Sequence, residues 1–75
     1  MSILESLKQQ FINKEIDKDT FYSDVSSYLA NRTRQEYETA VNEVVTLINE
    51  LQLTKIQANK IWSRAKIKYK MINNR

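Results

Sequence analysis

Neither glycine nor proline occurs anywhere in this chain of 75 residues. These two residues supply most of the left-handed positions and sharp breaks that hairpins and strand ends require. Helices joined by very short links need little of either. Apolar spacing points the same way, and the expected fold class is all-α: a compact bundle of four short helices with very short connections, one domain over residues 1–75. A domain of this size buries only roughly 60% of the surface its unfolded chain exposes, so its core must pack well or gain margin from a partner.

Three of the four helix starts carry a capping box, in which a Ser or Thr side chain and a Glu or Gln three residues later satisfy each other's free amides. These are Ser2 with Glu5, Thr33 with Glu36, and Thr54 with Gln57. The second helix is expected to start at Asp17, whose carboxylate caps and meets the positive end of the helix dipole. Ile16 and Phe21 flank that cap at the positions of a hydrophobic staple.

The third helix, expected over about residues 34–52, steps through Tyr37, Val41, Val44, Ile48 and Leu51, with Ala40 and Leu47 widening the stripe. The fourth, expected over about residues 55–73, steps through Ala58, Trp62, Ala65, Tyr69 and Ile72, with Ile61 beside them. Both runs have the spacing of a helix packed along another helix, which predicts that the third and fourth helices mate along these seams. The first helix offers Ile3, Leu4, Leu7, Phe11 and Ile12, and the second Phe21, Tyr22, Val25, Tyr28 and Leu29.

Charge is sharply divided. Residues 1–54 hold five Lys or Arg against nine Asp or Glu, a net of −4, whereas residues 55–75 hold seven and no acid, a net of +7. Such asymmetry hints at an acidic partner. Once the fourth helix turns its seam inward, Lys60, Arg64 and Lys68 form one basic ridge beside it, and Lys55, Lys66 and Lys70 a second. Ile56, Ile67 and Met71 are left pointing outward among these cations, a stripe that a merely solvated helix does not need. Lys60, Arg64, Lys68, Ile56, Ile67 and Met71 are therefore the expected partner-binding residues.

Chemistry is sparse. The chain has no His and no Cys, so the common general base and thiol chemistry are missing from its composition. Glu36, Glu43 and Glu50 lie a heptad apart, with neighbours separated by roughly 10 Å along the axis, too far to share one cation. No catalytic constellation, metal or cofactor is expected, and the protein reads as a non-enzyme.

The stretch LINELQLTKIQANKIW, residues 47–62, resembles a helix-turn-helix. Leu51 and Leu53 bracket the turn, Thr54 caps the second helix, and Ala58 and Ile61 sit where that helix packs on the first. It departs from the pattern at Gln52, where Gly is usual, and at Ile48, where a small residue is usual. The resemblance implies DNA binding, with Lys55, Ile56, Asn59 and Lys60 facing the major groove. In layout, though in no motif residue, the chain also resembles small bacteriocin-immunity proteins, which are helical bundles with a basic C-terminal end.

No apolar run reaches the ~18 residues of a membrane-spanning helix. The start MSILESLKQQ has no basic segment followed by an apolar one, so no signal peptide is expected and the expected location is the cytoplasm. The favoured reading is a small inhibitor or regulator, of the sort that viruses and mobile elements encode, acting by protein–protein interaction. Its expected partner is an acidic protein surface. Nucleic acid is the alternative, and a homo-oligomer a third option that must avoid setting like charges together.

Overall fold

A computed structural model describes residues 3–73 and contains four helices in the order α1 (Ile3–Ile12), α2 (Lys18–Ala30), α3 (Arg34–Leu51) and α4 (Lys55–Asn73). There is no strand among the described residues. The bundle with very short connections is thus the observed fold, with links of residues 13–17, 31–33 and 52–54. The expected cap Ser2 lies outside the described residues.

The remaining caps form as the sequence indicates. The Asp17 carboxylate accepts from the Thr20 amide at 2.7 Å. In the box that opens α3, the Glu36 amide donates to Thr33 Oγ1 and the Thr33 amide to Glu36 Oε1, both at 3.3 Å. At α4 the Thr54 amide donates to Gln57 Oε1 at 2.8 Å and the Gln57 amide to Thr54 Oγ1 at 3.2 Å.

Helix ends without glycine are made in two ways. After α1, the Glu15 amide donates to Gln10 O and the Lys14 amide to Phe11 O, with Lys14 at φ 59°. After α3, the Leu53 amide donates to Ile48 O and the Gln52 amide to Asn49 O, with Gln52 at φ 54°. Both are the paired closure in which a left-handed residue turns the chain out of the helix. A side chain in that conformation costs about 1–2 kcal/mol, which the chain meets twice rather than using glycine. α2 avoids this: Asn31, at φ −91°, donates from its own side chain to Ser27 O at 2.8 Å.

α2 is the hub. Its buried residues Phe21, Tyr22, Val25, Ser26, Leu29 and Ala30 come in adjacent pairs one turn apart, so it is covered over a wide arc by all three neighbours. The most extensive contact is between α2 and α4, where Ile61 and Ala65 are the buried residues of α4. Arg64 meets Asp19, and Lys68, one turn on, meets Ser23 and Ser27, so these two helices run parallel. α1 adds Leu4 and Leu7, and Phe11 stacks on Phe21 with centroids 4.4 Å apart.

The expectation that α3 and α4 mate along their seams is corrected. Backbone contact between them is slight, and the ring pair Tyr37–Tyr69, with centroids 5.4 Å apart, links their far ends. In both helices the buried line keeps one residue of the expected seam, Val44 or Ala65, and otherwise follows the residues expected to flank it. It runs through Ala40, Val44 and Leu47 in α3 and through Ile61 and Ala65 in α4. Tyr37, Val41, Ile48, Leu51 and Trp62 are half-buried and pack against its edges. The large aromatic residues gain contact there while keeping one side wet, which leaves the centre to smaller side chains that allow close approach.

Two expected outcomes follow. Ile61→Ala costs about 2–5 kcal/mol and largely unfolds the domain, and it costs more than the chemically similar Ile48→Ala, as chemical denaturation followed by circular dichroism measures. Hydrogen bonding from Thr20 and from Thr33, side chain first and backbone second, holds the Asp17 and Glu36 carboxyls below their ordinary values. Depressed carboxyls stabilise the fold at neutral pH and lose that contribution as they are protonated, so stability falls as pH drops below about 4. The double variant Asp17→Asn with Glu36→Gln flattens that fall.

Candidate interaction surface on α4

With Ile61 and Ala65 fixed against α2, helical geometry of ~100° per residue places Ile56 and Ile67 on the opposite side of α4 and Met71 on its flank. They are 71%, 60% and 73% exposed. The outward stripe expected from the sequence is therefore present, with its direction set by the burial of Ile61.

The basic ridges divide. Arg64 Nη1 donates to Asp19 O at 3.1 Å, and Nη2 lies 3.5 Å from the Asp19 carboxylate. Lys68 Nζ donates to Ser23 O at 2.9 Å, Ser23 Oγ at 3.0 Å and Ser27 Oγ at 2.8 Å. That gives three acceptors for its three N–H groups, all of them neutral oxygens of α2. Of the expected ridge Lys60, Arg64 and Lys68, the last two are therefore engaged with α2. They flank the Ile61 line, so the packing of α4 on α2 brings them within reach of that helix.

Lys60 stays exposed, with its ammonium 6.0 Å from the centroid of the Tyr22 ring, within the range of a cation–π contact. The second ridge, Lys55, Lys66 and Lys70, is exposed and forms no hydrogen bond or ion pair with a described residue. The uncommitted charge of α4 thus lies within the apolar stripe, at Lys60, and along one side of it, at Lys66 and Lys70.

Two features of this helix were not legible in the sequence. Gln57 closes its capping box with Oε1 and uses Nε2 to donate to the hydroxyl of buried Tyr22 at 2.9 Å, tying the first turn of α4 to the core. The serines of α2 act as acceptors for Lys68. Ser23, Ser26 and Ser27, clustered within two turns of α2, were the available signal.

The helix-turn-helix reading meets a mixed outcome. Gln52 does take the left-handed conformation that the motif usually assigns to Gly, and Lys55, Asn59 and Lys60 are exposed in the first two turns of α4. The helix pair is different. Tyr37 and Tyr69 each lie roughly 24 Å of helix away from the turn, yet their rings touch. The two helices are therefore close to antiparallel, an αα-hairpin and not the ~90–120° crossing of a helix-turn-helix. Among the described residues no group of three His, Cys, Asp or Glu could hold a metal ion. Nor is any helix among the described residues long and apolar enough to cross a membrane.

The division of the cations has a measurable consequence. Lys68→Ala removes a charge-assisted set of bonds and lowers stability by about 1–3 kcal/mol, whereas Lys66→Ala changes it by no more than about 0.5 kcal/mol, both read from denaturant midpoints. Comparison with family models, curated proteins and solved structures finds no match to this chain.

Proposed function

We propose that the protein is a non-enzymatic inhibitor or regulator that acts in the cytoplasm by docking an acidic surface of another protein onto the outer side of α4. The observation that carries this reading is the exposed line Ile56, Ile67 and Met71, turned away from the core, with Lys60 among its residues and Lys66 and Lys70 along one side. An apolar stripe supplies burial, and the uncommitted cations supply steering and choice of partner. Arg64 and Lys68, spent on α2, hold the helix that presents the stripe. Self-pairing of α4 with its own copy would set lysines against lysines, so a second copy is a poor occupant of this face.

Affinity capture from the source cells, with and without nuclease, tests the proposal. Capture survives nuclease and is lost in the double variant Ile67→Ser with Met71→Ser, whose folding is unchanged because both side chains are exposed. The salt dependence of the purified complex is shallow and lies mostly in the on-rate. Loss of capture on nuclease treatment, with affinity falling by orders of magnitude between about 50 and 200 mM salt, assigns the surface to nucleic acid and overturns the proposal.

A further inference from the structure

The outer stripe gives the side of α4 that is offered, and a neighbouring cleft indicates what a partner places there. Between the first turns of α3 and the last turns of α4 opens a cleft of about 500 Å³, lined by Arg34, Tyr37, Glu38, Lys66, Tyr69 and Lys70. Its floor is the half-buried Tyr37–Tyr69 pair, with the rings tilted 57° to each other. Its rim is cationic. Arg34 stands on α3, and Lys66 and Lys70 stand one turn apart on α4. None of the three forms a hydrogen bond or ion pair with a described residue, and neither does Glu38. Three other cations of the bundle contrast with them: Lys8 pairs with Glu50 at 3.0 Å, and α2 holds Arg64 and Lys68.

We propose that this cleft binds a short acidic peptide segment of the partner protein. An apolar or aromatic side chain of the peptide lies on the tyrosine floor, and flanking Asp or Glu carboxylates meet Arg34, Lys66 and Lys70. This deepens the docking reading above and rests on it. The chemistry fits on three counts. Tyrosine rings give an apolar side chain a large, rigid contact area. Arg34 can hold a carboxylate through two parallel bonds, while the lysines act as point charges. Glu38 decides between classes of partner. A peptide brings backbone N–H donors that this carboxylate can accept, whereas a phosphodiester backbone would set its own oxygens against it. Lys70 lies roughly 60° around the helix from Ile67, so a segment leaving the cleft passes directly onto the outer stripe.

The intact ¹⁵N-labelled chain, titrated with the terminally blocked peptide Asp-Glu-Phe-Leu-Glu-Asp, tests this. Amide shifts concentrate at residues 34–38 and 66–70, and they disappear when the acids of the peptide are replaced by lysines. Arg34→Glu weakens binding about tenfold by setting like charges together. The fold of that variant is secure, because an acid in the first turn of a helix suits the dipole. Absence of saturable shifts up to about 1 mM peptide, shifts centred elsewhere, or tighter binding of a ten-residue thymidine oligonucleotide at the same amides each overturns the assignment. If the peptide fails while Ile67→Ser with Met71→Ser still abolishes capture of the partner, the cleft assignment falls and docking on the outer stripe stands. If that double variant also leaves capture intact, both fall.

Discussion

The contact between α2 and α4 is the constraint on which the rest of this bundle depends. It is the most extensive in the bundle, and it seats the buried Ile61 and Ala65 of α4 against a helix whose own buried residues include the small Ser26 and Ala30. Small residues let two helices approach closely, which is how a chain of this length gains dense packing from few large side chains. Ser26 can be buried because its hydroxyl is satisfied within its own helix, by Tyr22 O and Ser23 O at 2.8 Å each. With α4 seated there, α1 and α3 close the remaining sides of α2. The outward direction of Ile56, Ile67 and Met71 then follows without further interactions.

Polar contacts at the edges of that interface select its alignment. Arg64 with Asp19, Lys68 with Ser23 and Ser27, and Gln57 with Tyr22 all join the same two helices. Sliding α4 by one turn would move these groups about 5.4 Å and leave each donor without its acceptor. The positive end of the chain is thus partly structural: two of its cations set the helix in place, and the others remain for contacts outside the molecule.

Much of the fold was legible in the sequence because caps are local. Thr33 with Glu36 and Thr54 with Gln57 place the starts of α3 and α4 at Arg34 and Lys55, and Asp17 places the start of α2. The paired faces were less legible. Trp62 and Tyr69 dominated the apolar pattern of the fourth helix by size, whereas Ile61 and Ala65 are buried, so the predicted face was turned by roughly 40°. The role of α2 was hidden because its buried residues cover too wide an arc to give a narrow stripe, and serine at the interface carries no hydropathy signal. For the candidate surface, Ile56, Ile67 and Met71 could be placed by helical spacing alone. The capture of Arg64 and Lys68 could not, since it depends on residues 45 positions earlier in the chain. The cleft at Tyr37 and Tyr69 likewise needs two helices side by side.

The parallel pairing of α2 with α4 has a consequence for the order in which the chain can fold as it is made. Partners separated by 41 and 45 residues must meet, with the whole of α3 emerging between them. The hairpin of α1 and α2, joined by Phe11 stacked on Phe21, can close early. Until the last helix is synthesised, however, the side of α2 that carries Asp19, Ser23 and Ser27 lacks the helix that covers it. A nascent chain therefore passes through a stage with its central helix half-dressed, during which a chaperone, or the corresponding helix of a neighbouring nascent chain, can compete for that face.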